Sequence, residues 1–288
     1  KAGNSNYLIK SGINKSINQI FDEFSMPHHV LGVLNKFCKK QKIQFMSTPF
    51  SVDDAKAVNK FVKIHKIASY EINHVPLLKF LAGTKKPIIV STGASTYEKI
   101  DFAIKILKKH GTKQICILQC TAAYPAPIDS LNLASIPSLK DKFKIPVGFS
   151  DHSIEPIIAP LLAIGYGATI IEKHFTDNNK RQGPDHSFSM MPKKWIEMIE
   201  RARELEMSLG SGIKKIEKNN LNFFIILLIP FWIKIYKIDP SYIKKCAKIL
   251  LIIATIFFSY KNFNRYELYL IKYDNVWPPF INDKLILK

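Results

Sequence analysis

No glycine falls between residue 217 and the last residue, 288; all twelve lie earlier in the chain. A compact, turn-rich β domain needs glycine where φ must be positive, so this tail is not expected to form one. Long apolar runs are missing too. Leu221–Ile233, interrupted by Pro230, and Ile249–Phe258 are the tail's most apolar stretches, and both fall short of the roughly 20 residues that span a bilayer. Cysteine is scarce. Cys38, Cys116, Cys120 and Cys246 stand without metal-binding spacing, and Cys116 and Cys120 share one face of a single predicted strand, so they should not pair. Reduced thiols in a cytoplasmic protein are expected. The chain has no charged segment followed by an apolar one at its start, so nothing there reads as a signal peptide. Lys1 in place of methionine is expected of a processed chain or a fragment.

Acidic residues are outnumbered, and the formal net charge is +19. A basic surface attracts nucleic acid or anionic substrates. A compositional bias toward Lys, Asn and Ile explains the same charge. No basic patch interleaved with aromatics and no nucleic-acid motif is present, so no nucleic-acid partner is expected.

What is present is an alternation of strand and helix signals. Strands are predicted over residues 43–48, 63–69, 87–92, 115–120, 147–150 and 168–174. Helices are predicted over 27–40, 52–60, 75–81, 96–110, 131–143, 157–165 and 192–209. Ser51 is the N-cap of the second helix, with Asp53 and Asp54 in its first turn. The strands are apolar enough to be buried on both faces, which predicts a parallel sheet. A (β/α)8 barrel of the TIM type fits best, because polar, reactive residues end every strand. Six strands are visible, so the barrel is expected to lack its first two. A doubly wound open sheet is the alternative, but its Gly-rich dinucleotide turn is missing.

The strand ends form one constellation. Thr48; Lys66 and Ser69; Ser91 and Thr92; Thr121 and Tyr124; Ser150 and His152; and Glu172 and His174 fall at successive strand ends. One lysine with several hydroxyls is what a phosphate or carboxylate site needs. Two histidines with few nearby cysteines suit a divalent transition metal that keeps open positions. A single Ser or Thr there would be an ordinary cap; agreement across six strands is more specific.

The segments Thr48–Ser51, Lys66–Asn73, Pro87–Gly93, Cys120–Pro127, Gly148–Ser153, Glu172–Thr176 and Gly183–His186 resemble, in order, motifs of the N-acetylneuraminate (sialic acid) synthase family. The wording is closest to the spore-coat polysaccharide branch, with pseudaminic and legionaminic acid synthases nearby. The resemblance covers residues 1–216. It implies a barrel whose enzyme condenses phosphoenolpyruvate with an N-acetylated aminosugar, followed by a small antifreeze-like domain, in a homodimer. It further implies that Thr48, Lys66, Ser69, Ser91, Tyr124 and Ser150 hold phosphoenolpyruvate. His152 and His174 would bind Mn2+, or Mg2+ or Co2+, and Glu71, Glu172 and Asp185 would serve the sugar and the proton transfers.

The sequence departs from that pattern in three places. The two strands that open the family's barrel have no counterpart, Ala122 stands where Asn or Ser is frequent, and residues 217–288 match no antifreeze-like domain. Arg265 is the tail's one arginine, and nothing around it matches. The tail is expected to be out-of-frame or degraded coding sequence. The alternative is a membrane hairpin with snorkelling lysines. For the whole chain, the alternatives to a synthase are an inactive remnant and a membrane-tethered component of a glycan pathway.

Overall fold

The computed structural model describes Gln19 and residues 25–214. The polar segment before residue 25, apart from Gln19, and the tail from 217 to 288 lie outside the described residues. So do the tail's apolar runs, Cys246 and Arg265.

Helix α1 (His28–Lys40) begins after Pro27, whose extended φ and ψ make it the cap. In α2 (Val52–Asn59), the Ser51 hydroxyl accepts the backbone N–H of Asp54 at 3.0 Å, the cap that its sequence predicts. Strand β1 (His65–Ile67) follows, then a 3-10 turn (Ser69–Asn73) and α3 (Val75–Gly83). Next come β2 (Ile88–Ser91), α4 (Tyr97–Lys109), β3 (Ile115–Cys120), α5 (Ser135–Phe143), β4 (Val147–Asp151), α6 (Ile158–Gly165), β5 (Ile171–Lys173) and α7 (Pro192–Leu209). All neighbouring strands pair in parallel, in the order β1-β2-β3-β4-β5.

This five-stranded sheet curls into a half-barrel with helices on its convex side. The period of two along each strand divides the side chains between the two faces. Ile67, Ile88, Val90, Ile117, Val147, Phe149 and Ile171 pack against helical residues such as Leu77, Leu81, Leu107, Ile136 and Trp195 in one apolar cluster. Trp195 is thus a core residue. The alternate positions, including Lys66, Ser91, Leu118, Cys120, Gly148, Ser150 and Glu172, face the other way. Free thiols Cys116 and Cys120 share that second face and are both buried; burial pushes the Cys116 thiol up to about 12.

The strand predicted over residues 43–48 is not formed. That segment carries no regular structure and pairs with no strand among the described residues. Phe45 still packs against Leu31, Val58 and Val62, so the apolar alternation is used. An extended chain becomes a strand only when a neighbour takes up its hydrogen bonds, and among the described residues β1 pairs with β2 alone. No helix among the described residues is long and apolar enough to cross a membrane.

His65 gives the fold a pH dependence. The residue is fully buried at the start of β1, with Nε2 3.1 Å from Asn59 Oδ1. Burial, reinforced by the Lys86 ammonium, lowers its pKa from 6.5 to about 4. The unfolded chain therefore takes up a proton at this position below pH 6.5, while the folded chain does not until about pH 4. Stability must fall as the pH drops through that window. The expected loss is on the order of 2 kcal/mol, several degrees in melting midpoint, and His65→Gln should remove it. Thermal melts between pH 7.5 and 4 check this; parallel curves for the two proteins would refute it.

Candidate active site

Register decides which strand-end residues meet. Cys120, Ser150 and Glu172 are Cα partners across β3, β4 and β5 and form one layer of the concave face. Ser91 pairs with Leu118, one inward position lower. Lys66 pairs with Ile89, lower again. This stagger is what tilted barrel strands produce. The long lysine stem compensates for it: Lys66 Nζ donates to Ser91 Oγ at 2.8 Å and lies 3.5 Å from Glu172 Oε2. Ser150 Oγ donates to Glu172 Oε1 at 2.7 Å. Lys66 is 2% exposed and Glu172 14%, so this cation and carboxylate face each other largely out of water.

Ser69 opens the 3-10 turn after β1. Its hydroxyl accepts the Gly93 N–H at 3.0 Å and donates to Cys120 Sγ at 3.6 Å. A Cβ on Gly93 would stand 2.9 Å from that hydroxyl and 3.0 Å from the sulfur, so glycine lets the loop after β2 close over this layer. Glu71 lies two residues further along the same turn, half-buried.

Beyond β4, His152 is buried and its Nδ1 lies 2.8 Å from the Thr121 carbonyl oxygen. As the donor in that contact, Nδ1 carries the ring's proton and Nε2 keeps its lone pair. Burial holds the imidazole below its usual pKa, which favours the neutral form that ligates metals. His174 follows β5, its ring centroid 5.3 Å from that of His152. Asp185 Oδ2 lies 3.4 Å from His174 Nδ1. Tyr124 stacks on His152 at 4.3 Å between centroids. Burial, with negative neighbours, drives its phenol up, so it stays protonated.

The structure thus brings together Lys66, Ser91, Ser150 and Glu172 by direct contact, with Ser69 joined through Cys120. His152, His174, Tyr124 and Asp185 form an adjoining group. Thr48 stands apart from both in hydrogen bonding. Its hydroxyl is buried without a partner on the unpaired segment before Pro49. Among the described residues, no three or more His, Cys, Asp and Glu side chains are grouped so as to hold a metal ion.

The description of the family model that matches residues 1–214 is "NeuB family". The chain belongs to the NeuB family. It is 38% identical to an N,N'-diacetyllegionaminic acid synthase of Campylobacter jejuni, over 76% of this chain and 66% of that protein. It is 37% identical to the spore coat polysaccharide biosynthesis protein SpsE of Bacillus subtilis, over 73% of this chain and 57% of that one. The crystal structure of an N-acetylneuraminic acid synthetase from Leptospira borgpetersenii superposes with a TM-score of 0.70 at 31% identity, covering 77% of each chain. The NeuB-family chain spans less than two thirds of the length of these two curated relatives.

Two neighbours of the site have no assigned role in the strand-end pattern. Cys120 sits in the Ser150 layer, its sulfur 3.9 Å from His152 Nδ1. Phe188, nearly fully buried, places its ring 5.2 Å from His174 and 6.0 Å from Tyr124. The inward alternation of β3 pointed to the cysteine. Nothing local pointed to Phe188, which arrives on an irregular loop.

Proposed function

We propose that this NeuB-family chain condenses phosphoenolpyruvate with an N-acetylated aminosugar, releasing phosphate and forming a nonulosonic acid. In this reading it works in the cytoplasm, as a homodimer, and its half-barrel is part of a (β/α)8 barrel. The observation that carries the reading is the buried ammonium of Lys66 on the Ser91 hydroxyl and beside Glu172, which the Ser150 hydroxyl also binds, with a pair of imidazoles at the neighbouring strand ends. A small polyanion needs such a fixed charge with surrounding donors. The named synthases among its relatives support the same class.

In this reading Thr48, Lys66, Ser69, Ser91, Tyr124 and Ser150 hold the phosphate and carboxylate of phosphoenolpyruvate. Its C3 forms the new bond to the sugar's aldehyde carbon, and positive charge develops at C2. Water adds there, and phosphate leaves by C–O cleavage as the C2 ketone forms. Glu172, held by Ser150 and Lys66, is placed to take the proton of that water. Glu71 and Asp185 orient the sugar and deliver a proton to the aldehyde oxygen. Enclosing both substrates in one orientation supplies a large part of the rate.

His152 and His174 would hold a divalent ion, Mn2+ first and Mg2+ or Co2+ as alternatives. The donor set fits: Thr121 and Asp185 engage one nitrogen of each ring, leaving Nε2 as the ligating atom in both. When bound, the ion supplies Lewis-acid polarisation of the aldehyde.

The test is phosphate release from the full chain with phosphoenolpyruvate, Mn2+ and a panel of N-acetylated hexosamines. Release that requires both substrates and disappears in His174→Ala is expected. A chain that is folded by circular dichroism yet releases no phosphate with any acceptor would overturn the proposal.

A further inference from the structure

Besides the polar side chains of His65 and Gln119, the helix-facing side of the half-barrel carries one ion pair. Asp151 ends β4 and Lys173 ends β5; they are Cα partners, on the opposite face from Ser150 and Glu172. Their side chains are 0% and 1% exposed, with Lys173 Nζ 2.5 Å from Asp151 Oδ2. The same ammonium donates to the Ser153 carbonyl oxygen at 2.7 Å, and Asp151 Oδ1 accepts the Ser153 N–H at 2.8 Å. Lys173 therefore grips the residues on both sides of His152 and itself immediately precedes His174.

A buried ion pair is a poor device for stability, because desolvating two charges offsets most of their attraction. An apolar pair would fill the same space. What the ion pair adds is direction: the contacts fix the turn that carries His152 relative to the strand that carries His174. We infer that Asp151 and Lys173 are positioning residues that set the separation of the two imidazoles, 5.3 Å between ring centroids. The inference rests on the proposal that these imidazoles share a metal ion. Removing groups that orient metal ligands lowers metal affinity about 10–100-fold.

The experiment measures Mn2+ binding to the full chain by loss of the free-ion electron paramagnetic resonance signal, alongside thermal melts. The variants are Asp151→Asn, which keeps shape and loses charge, and the double variant Asp151→Leu with Lys173→Met, which replaces the pair by apolar groups. The expected result is Mn2+ affinity about 10–100-fold weaker in whichever variant stays folded. The melting midpoint of the double variant should stay near that of the wild type. A purely structural pair gives the opposite pattern, with stability altered and Mn2+ affinity unchanged, and that result would overturn the inference. Leu107→Ala, a core change on α4, controls for general destabilisation and should bind Mn2+ as the wild type does. Absence of Mn2+ binding by the wild type would overturn the metal reading itself, and the inference with it.

Discussion

Replacing Lys66 by methionine should lower phosphate release, as kcat/KM for phosphoenolpyruvate, on the order of 10²–10³-fold, the loss typical when one preorganised charge-stabilising donor is removed. The reason is placement. Nζ reaches Ser91 and Glu172 from a buried stem, where water screens little of its charge. Methionine keeps the volume of the stem and removes the charge, so lost packing does not explain the deficit. Lys66→Arg should not rescue activity, because a planar fork does not fit where a compact ammonium sits among hydroxyls. The Lys66→Met protein should also melt earlier, since Glu172, 14% exposed, loses the cation 3.5 Å away. Steady-state phosphate release and calorimetric titration with phosphoenolpyruvate check the prediction. A Lys66→Met protein within a few-fold of wild type in both would remove Lys66 from the site.

The largest effect on folding is expected from Gly148→Ala. A Cβ at Gly148 would lie 2.6 Å from the Ile170 carbonyl oxygen, 2.6 Å from Leu118 Cδ2 and 2.9 Å from Ile170 Cβ. The side chain of Leu118 can turn away; the carbonyl cannot, because it accepts the Phe149 N–H at 2.8 Å in the β4–β5 ladder. The methyl therefore separates the two strands whose ends carry His152 and His174. Overpacking costs about 1–3 kcal/mol, and against an immovable carbonyl the upper end is expected, which amounts to roughly 10 °C in melting midpoint for a chain of this size. Gly165→Ala is the control. It ends α6 with nothing within 4 Å of its added Cβ, and alanine is the better helix former there. Equal melting midpoints for the two variants would show that β4 and β5 are not held this closely.

Much of this was legible along the chain, because periodicity is local. The stripe Ile100, Ala103, Ile104 and Leu107 specifies α4 whatever it packs against, and all four are buried as the 3.6-residue period requires. Ser51 capping α2 depends on the four contiguous residues from Ser51 to Asp54. The strand ends, too, were placed by apolar runs stopping at polar clusters, so Lys66, Ser91, Ser150, Glu172 and the two histidines were all named from sequence. Tertiary structure decided the rest, because pairing is not local. Residues 43–48 have the alternation of a strand but no strand paired with them among the described residues. Lys66 reaches Glu172 across three intervening strands only because the stagger of the sheet and its curl bring a lower inward position under a higher one. Asp151 and Lys173 are adjacent in sequence to the two histidines. Yet their union depends on the β4–β5 register, and a slip of one residue between these strands would leave them on opposite faces. The sequence by itself determined which residues stand at the rim; the register and curvature of the sheet determined which of them touch.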